Sequence, residues 1–429
     1  MLTLSVTSML FALMLFGIPL AFALAVAGAM GLYLVGGAGL MMGILETAPL
    51  SATASYELLT VPMFMLMAEF VILSGIADNL FRAATVWVGR VPGGLGVATA
   101  LAGAGFGAVS GSSTAAAATL SATSIPAMER AGYHPRHAGG TVAISGTLAM
   151  LIPPSVAIVI YGIITEESIG ELLIAGIVPG ILVALTISAT IVALVMRNAD
   201  NRPESRAYTM REKIESLKVV GPMLALFFVV TGVIYLGVAT PTEAAGLGAF
   251  GAMLLTWREG KLSRVTLVQV LTRAAHTTCM ILIVIMAAHI FGYFFTLTGV
   301  TQSLVGWIGD MEISRWVVIA LVLAVYIVLG FFLDQISVLI LTVPLSLPLI
   351  LSLGFDPVWF GILVIITAEI GMVTPPVGLN VFVVSRYTGR PVEEVFYGTA
   401  PHVVTQLLLL AVLVAFPGII LWLPSTMAQ

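Results

Sequence analysis

The sequence predicts an all-α protein that crosses a membrane many times and consists of two copies of one structural unit in opposite orientations. Hydrophobic residues make up 59% of the 429 residues and charged residues only 9%, whereas a soluble domain has about 45–50% apolar and about 25% charged residues. Apolar stretches recur along the chain, and a membrane helix needs about 20 mostly apolar residues. When the sequence is shifted against itself by one constant number of residues, prolines and glycines of the second half align with prolines and glycines of the first half.

The apolar stretches begin at the N-terminus, where no charged residue precedes Glu46. This first stretch has no basic start and far exceeds the roughly 7–15 apolar residues of a signal peptide, so it is not expected to be one. Because Gly and Pro interrupt several stretches, we expect about ten to twelve crossings. The later stretches lie at 59–76, 138–162, 170–196, 219–236, 240–256, 275–298, 358–385 and 402–424.

Composition and motifs exclude several function classes. The 17 Lys and Arg against 21 Asp and Glu give a net charge of −4, which excludes a basic surface for nucleic acid. Cys279 is the only cysteine, so neither a disulfide framework nor a four-Cys zinc site is possible. Neither G-x-x-x-x-G-K-[ST] nor H-E-x-x-H occurs, and we expect no ATP hydrolysis. The G-x-G-x-x-G at 246–251 lies in an apolar stretch without a preceding strand, which favours helix packing.

The duplication is carried by prolines and glycines in constant register, which chance alignment of apolar residues does not produce. We divide the chain into a first repeat at 1–196, a polar linker at 197–218 and a second repeat at 219–429. The matched pairs are Pro126 with Pro348, Gly132 with Gly354, Pro135 with Pro357, Gly139 with Gly361, and Pro153-Pro154 with Pro375-Pro376.

Charge asymmetry predicts that the two repeats have opposite orientations. Basic residues near membrane ends favour the cytoplasm, and the linker 197–218 contains six of them. The segment 96–128 is flanked by four arginines, whereas its counterpart 316–350 is flanked by three acidic residues and only Arg315 as a basic one. The linker is therefore expected in the cytoplasm and both chain termini in the periplasm.

Inverted repeats with broken helices are typical of secondary transporters, whose sites lie at half-helix ends near the midplane. Polar breaks at 107–114 and 330–337 predict two re-entrant helical hairpins. Pro-Pro breaks at 149–155 and 371–380 predict two interrupted helices. The carbonyls freed there need partners in the membrane, and a hard cation such as Na⁺ is a candidate. For 103–114, the G-x-x-x-G-x-x-x-G spacing leaves close helix packing open as an alternative.

Carboxylates inside the membrane are costly and mark functional sites by default. Asp334 stands in the second polar break, and we expect it to be functional. Glu369 lies close before the second Pro-Pro break, and both a function and a structural hydrogen bond remain open. Glu243 follows Pro241 and can simply cap the next helix.

The two Pro-Pro motifs, the linker and Thr-Pro-Thr-Glu-Ala-Ala at 240–245 together resemble the DctM-type large membrane subunit of tripartite ATP-independent periplasmic (TRAP) transporters. The resemblance covers essentially the whole chain. It implies an elevator-type transporter, similar to the ion-transporter superfamily, in the bacterial inner membrane. It also implies a small four-helix membrane subunit, a soluble periplasmic substrate-binding protein, and Na⁺-coupled uptake of an organic acid such as a dicarboxylate, sialic acid or sugar acid. The transport domain would comprise 91–180 and 313–402, with the remainder as scaffold.

The resemblance also assigns candidate site residues. The first Na⁺ would be held by Ser110, Ser112, Ala149, Ile152 and Pro154, and Ala149 stands where relatives often have Gly. The second Na⁺ would be held by Gly330, Gly371, Thr374 and Val377. Ser113, Asp334 and Asn380 would face the substrate. No small subunit precedes residue 1, so we expect the unfused form, whose partner is a separate chain.

Two alternative functions remain at this point. A solitary anion antiporter of the same superfamily would have the same breaks but no binding protein. An intramembrane hydrolase is disfavoured, because the sequence around Ser110 lacks the G-x-S-G spacing and no His lies nearby.

Overall fold

The computed structural model describes residues 2–197, 207–310 and 313–427, without the side chains of 76–78, 108–110 and 310. These residues are mainly helical and contain no strand. Seven of the described helices are long and apolar enough to cross a membrane, and five shorter apolar helices accompany them. The prediction of an all-α polytopic membrane protein is confirmed.

The first half of the chain contains eleven α-helices within the described residues, and Pro135 supplies the first residue of the eighth, where its missing N–H costs nothing. They are α1 Leu2–Leu15, α2 Leu20–Thr53, α3 Thr60–Ser74, α4 Ile76–Val88, α5 Gly94–Ser110, α6 Ser113–Thr123, α7 Ile125–Arg130, α8 Pro135–Thr147, α9 Val156–Thr165, α10 Ile169–Ala175 and α11 Ile177–Arg197.

The second half contains ten described α-helices, and Pro357 again supplies the first residue of a helix. They are α12 Met210–Tyr235, α13 Pro241–Arg258, α14 Arg264–Thr298, α15 Val300–Asp310, α16 Arg315–Gly330, α17 Gln335–Ser352, α18 Pro357–Gly371, α19 Leu379–Thr388, α20 Val392–Ala415 and α21 Gly418–Leu421. Helix α12 begins inside the segment that the sequence predicted as a linker, whose residues 198–206 lie outside the described part.

Helix order repeats between the halves at the offset seen in the sequence. The pair α5–α6 corresponds to α16–α17, α8 to α18, α9 to α19, and α10–α11 to α20. Each Pro-Pro pair falls between the two equivalent helices that it was predicted to interrupt, and both pairs are cis. The local signals of the two halves therefore produce the same elements twice.

The helices pack in two sets. In one set α2 lies along α14, α3 packs against α13 and α14, and α12 packs against α13. In the other set the halves interlock, because α8 packs against α20, α6 against α19, and α9 against α17. Each hairpin therefore contacts a helix that follows the Pro-Pro break of the opposite half.

Two expectations from the sequence concern α13, namely the role of Glu243 and that of the glycines at 246–251, and local geometry answers both. Glu243 forms a capping box with Thr240, whose N–H and hydroxyl lie 2.9 and 3.0 Å from the carboxylate, so its expected role as a helix cap is confirmed. The glycines at 246–251 lie within α13, where Gly248 packs against Met67.

Candidate functional site

The first hairpin turns at Gly111 and Ser112, between α5 and α6. Gly111 has φ +56°, the left-handed region that favours glycine. A Cβ there would lie 2.7 Å from the Val156 side chain, so the tip sits directly against the start of α9. The Ser112 hydroxyl accepts the Ala115 N–H at 3.3 Å and is the N-cap of α6. The Ser110 side chain, a predicted Na⁺ ligand, lies outside the described residues.

The second hairpin places a carboxylate where the first has a hydroxyl. Asp334 is the equivalent of Ser112 in the repeat register and is the N-cap of α17. Its carboxylate accepts the Ser337 N–H at 3.3 Å and also the Ser337 hydroxyl. The positive end of a helix stabilises a negative charge at this position. Both tips are thus organised by a capping side chain that the sequence predicted for ligand binding.

The first Pro-Pro break is buried and closed by one serine. A 3₁₀ turn, Leu148–Met150, follows α8, and Ala149 is fully buried. The Ser155 hydroxyl donates to the Met150 carbonyl and accepts the Ile158 N–H at 3.3 Å. One of the carbonyls that the prolines leave free is therefore satisfied within the break itself.

The second Pro-Pro break is partly exposed and is connected to its hairpin. The Thr374 N–H donates to the Gly371 carbonyl at 3.0 Å, and its hydroxyl donates to the Ile370 carbonyl at 2.6 Å. The Gly378 N–H donates to the Phe331 carbonyl at 3.2 Å, which ties the break to the tip of the second hairpin. Thr374 and Val377 are half-buried.

Each hairpin lies in backbone contact with the break of its own half. A Cβ added at Gly107 would lie 2.3 Å from the Ala149 Cα, and one added at Gly371 would lie 2.7 Å from the Gly330 Cα. Contacts this close are possible only because glycine has no side chain. The structure thus brings Gly330 and Gly371 together as predicted, and it places Ala149 against α5. Ile152 is half-buried and Pro154 buried in the same break.

The halves are joined between the tips by side-chain amides. Asn380 accepts the Ser113 hydroxyl at 3.0 Å and donates to the Ala143 carbonyl at 3.4 Å, across 237 residues of sequence. Gln335 donates to the Ile365 carbonyl at 3.3 Å. In the repeat register Gln335 is equivalent to Ser113, as Ile365 is to Ala143. Sequence reasoning overlooked Gln335, although the repeat register points to it.

Comparison with known proteins decides the family. A model of the DctM component of the tripartite ATP-independent periplasmic transporter matches residues 7–419. The chain belongs to the DctM family. It is therefore the large permease subunit of a tripartite transporter, a multi-pass inner-membrane protein and not an enzyme.

Curated DctM relatives differ in what their names say they carry. The chain is 34% identical over 373 residues to the C4-dicarboxylate TRAP transporter large permease protein DctM of Pseudomonas aeruginosa, with 86% of each chain covered. It is 31% identical to the sialic acid permease SiaM of Vibrio cholerae, with 95% of each covered. It is also 31% identical to the ectoine permease TeaC of Halomonas elongata, with 99% of each covered.

The fold of this DctM protein also matches a solved transporter. The crystal structure of the Alcanivorax borkumensis YdaH transporter aligns with a TM-score of 0.64, over 88% of this chain and 89% of that one. At 14% sequence identity this likeness concerns the fold alone.

The two breaks of this DctM protein present mainly oxygen atoms, beside one buried methionine in each, Met150 and Met372. Hydroxyls and main-chain carbonyls surround the breaks, and the described residues contain no group of three or more His, Cys, Asp or Glu side chains that could hold a metal ion. Unwound carbonyls and half-helix ends are the ligands with which transporters bind Na⁺. This chemistry suits a hard monovalent cation better than a transition metal.

A cavity of about 720 Å³ lies outside these breaks, between the loop before α10 and the connection of α12 to α13. Its lining includes the carboxylates of Glu57, Glu166 and Glu167. Burial raises the pKa of the Glu167 carboxyl, and the nearby carboxylates of Asp356 and Glu171 raise it further. A cavity with this lining attracts cations rather than anions.

Proposed function

We propose that this DctM protein imports an organic acid together with Na⁺, and that a periplasmic binding protein delivers the substrate. The observation that carries the proposal is the pairing of each oxygen-rich helix break with a hairpin of its own half, at Gly107 with Ala149 and at Gly330 with Gly371. Two such pairings, one in each repeat, provide two cation sites on one body.

The first Na⁺ would bind Ser110 and Ser112 together with the carbonyls of Ala149, Ile152 and Pro154. Contact between Gly107 and Ala149 supports this set, since it brings the end of α5 within reach of the break. The Ala149 methyl group is accommodated in that arrangement. Because the ligand is the main-chain carbonyl of Ala149, the site does not require the Gly that relatives often have at this position.

The second Na⁺ would bind the carbonyls of Gly330, Gly371 and Val377 and the hydroxyl of Thr374. The Thr374 hydroxyl gives its hydrogen to the Ile370 carbonyl, so its lone pairs remain for a cation. The Gly371 carbonyl accepts one hydrogen bond, from the Thr374 N–H, and has a second lone pair available.

The substrate would bind near Asp334, Ser113 and Asn380. Ser113 and Asn380 are buried and bonded to each other, so their part is to fix the first hairpin tip against α19 beside the substrate. Asp334 is exposed, and its free oxygen lone pairs can accept hydrogen bonds from substrate hydroxyl or amino groups. The names of the relatives favour small carboxylates such as a C4-dicarboxylate, sialic acid or ectoine as the solute class.

Transport would proceed by movement of 91–180 with 313–402 against the remaining helices, as in an elevator. The interlocked packing of α8 with α20 and of α6 with α19 supports movement of these segments as one body. Gly75 and Gly299, both with positive φ, end α3 and α14 where each meets a short amphipathic helix. They are suited to act as the hinges.

Reconstitution tests the coupling. The chain with its small membrane subunit in liposomes, supplied with the binding protein, should accumulate substrate only under an inward Na⁺ gradient. Equal uptake driven by a pH gradient without Na⁺ would contradict Na⁺ coupling, and uptake without the binding protein would indicate a solitary antiporter.

Cysteine labelling tests the opposite orientations, which place the acidic loop at Glu166 in the periplasm and the basic stretch around Glu259 in the cytoplasm. In a Cys279→Ser background, a membrane-impermeant thiol reagent added outside should label Glu166→Cys but not Glu259→Cys, both of which stand at exposed positions. The reverse pattern would contradict the proposed topology.

A further inference from the structure

A small cavity lies where the two halves meet, lined mainly by aliphatic side chains, one of which, Leu151, belongs to the first Pro-Pro break. Its walls include two pairs of equivalent residues, Ile144 with Ile366 and Thr147 with Glu369, and Gln406 lies beside them. The space open to the centre of a water molecule is about 10 Å³, which is room for one water-sized occupant. In the second of these pairs one half has a carboxyl where the other has a hydroxyl.

Glu369 is the unusual member of this cavity. The residue is only 4% exposed, and neither carboxylate oxygen has a hydrogen-bond partner among the described residues. A buried ionised carboxylate without a partner is strongly unfavourable and normally requires a counter-charge. The Ser113 hydroxyl is the neighbouring group that could form the structural hydrogen bond left open by the sequence, but it lies outside hydrogen-bond geometry, so the carboxyl has capacity for a ligand.

Two of the other polar groups at the cavity donate hydrogens away from it. The Thr147 hydroxyl donates to the Ile144 carbonyl at 2.6 Å, and one N–H of the Gln406 amide donates to the Val183 carbonyl at 3.4 Å. The Ser113 hydroxyl, which faces Glu369, exchanges hydrogen bonds with the Asn380 amide at 2.8 and 3.0 Å. Most of the polar capacity that remains consists of acceptors, namely two carboxylate oxygens, hydroxyl lone pairs and an amide oxygen, beside the second N–H of Gln406.

We infer that this cavity binds a monovalent cation of the size of Na⁺, with Glu369 as its charged ligand and Thr147 and Gln406 as neutral ones. A buried carboxylate that faces a mainly aliphatic cavity favours an occupant that is positive or donates hydrogens, and a carboxylate with neutral oxygens favours a hard cation. The cation neutralises the buried carboxylate, so the site as a whole carries no net charge. It adds a cation to the two that the proposed function assigns to the breaks, and none of its ligands is shared with them.

The site is tested by counting bound Na⁺ on the purified complex of this chain with its small membrane subunit, using radioactive Na⁺. Glu369→Gln keeps the side-chain shape and removes the charge. We expect this variant to bind one Na⁺ fewer per transporter than the wild type. Glu46→Gln, which removes an exposed carboxylate, should leave the count unchanged.

Thermal stability gives a second readout that a merely structural carboxylate would not produce. Without Na⁺, Glu369→Gln should melt at the same temperature as the wild type or higher, because an uncompensated buried charge has been removed. With Na⁺, its melting temperature should rise less than that of the wild type, since it binds fewer stabilising ions. If Glu369→Gln fails to fold, Thr147→Val and Gln406→Leu serve instead, with Na⁺ binding weakened roughly fivefold to 150-fold, as for a buried charge that loses a polar partner.

The outcomes separate this inference from the proposed function. An unchanged Na⁺ count and unchanged Na⁺ stabilisation in all three variants would mean that the cavity holds a water or that the carboxyl carries a proton, and the inference would be wrong while Na⁺-driven uptake could still hold. If the variant loses one bound Na⁺ and uptake does not depend on the Na⁺ gradient, the cavity site is supported and the proposed coupling is contradicted.

Discussion

The two Pro-Pro breaks have the same spacing and the same cis bonds but different surroundings. Pro153 and Pro154 are buried, whereas Pro375 and Pro376 are exposed. The first break lies inside a packed body, and the second opens at its surface. A cation at the proposed first site would therefore be shielded from water, while one at the proposed second site could exchange with the surroundings.

The two breaks also differ in their internal hydrogen bonds, at two equivalent positions. Ser155 closes the first break onto itself through the Met150 carbonyl. Val377 stands at the equivalent position of the second break and has no hydroxyl, and Gly378 instead bonds to Phe331 in the hairpin. The geometry of the second break therefore depends on the position of its hairpin, so a cation at the site proposed there would respond to hairpin movement.

Substitution of Gly371 should produce the largest effect in this comparison. In Gly371→Ala the new methyl group meets the Gly330 backbone and the Ile327 carbonyl, both at 2.7 Å, and neither can move like a flexible side chain. Overpacking of this kind costs about 1–3 kcal/mol or more, and we expect loss of Na⁺-driven uptake. Uptake and thermal stability of the purified variant are the measurements.

The matched variant is Ala149→Gly, at the equivalent position of the first break. It removes a methyl group, creates no contact, and should retain uptake, with a cost of about 0.5–1 kcal/mol from the added backbone freedom. If both variants lose uptake equally, the two breaks do not differ in the way described.

Removal of one ligand oxygen from each site should have the next largest effect. Ser112→Ala and Thr374→Val should raise the Na⁺ concentration for half-maximal uptake roughly fivefold to 150-fold, because a desolvated cation loses one partner worth about 1–3 kcal/mol. Ser112 is also the N-cap of α6, so its variant should in addition lose about 0.5–2 kcal/mol of stability without Na⁺.

Wild-type Na⁺ dependence in both variants would show that the cation sites have been misplaced and that packing explains these residues. A change in only one of them would sharpen the comparison, since it would identify which break holds the ion that limits uptake.

Local signals explain how much of this architecture is predictable from the sequence. Proline and glycine act on their own backbone, so the Pro-Pro breaks, the hairpin tips and the register of the repeat could all be read directly. Ser112 and Asp334 were recognised as polar tip residues, although their capping role becomes definite only once α6 and α17 have boundaries.

Contacts between the halves could not be predicted from such signals. Ser113 and Asn380 are 267 residues apart and no local pattern pairs them. Thr147 and Glu369 line one cavity only because α8 and α18 both pack against α20, where the halves join. The repeat shows that two residues are equivalent, whereas contact between them depends on how the two copies pack together.

Ser155 provides a smaller test, which concerns stability rather than ion binding. Ser155→Ala removes the N-cap of α9 and the hydroxyl that satisfies the Met150 carbonyl, and we expect a loss of about 0.5–2 kcal/mol. Val377→Ala, at the equivalent half-buried position, removes no cap and should cost less. Denaturation of the purified variants measures both, and equal losses would contradict the view that only the first break is closed by its own side chain.

The smallest effect is expected in the part of each hairpin that runs back from the tip, which we call its return leg. Ser124 and Ser346 stand there at equivalent positions. Ser346 bonds to the buried Tyr326 hydroxyl at 2.7 Å, whereas the buried Ser124 hydroxyl has no partner among the described residues. Ser124→Ala should therefore change stability by no more than about 0.5 kcal/mol, and it should leave the Na⁺ dependence of uptake unchanged. Ser346→Ala leaves Tyr326 unpaired and should cost about 1–3 kcal/mol. A destabilised Ser124→Ala would mean that this hydroxyl has a partner in the membrane, such as a water molecule, and that the two return legs are more alike than their side-chain contacts indicate.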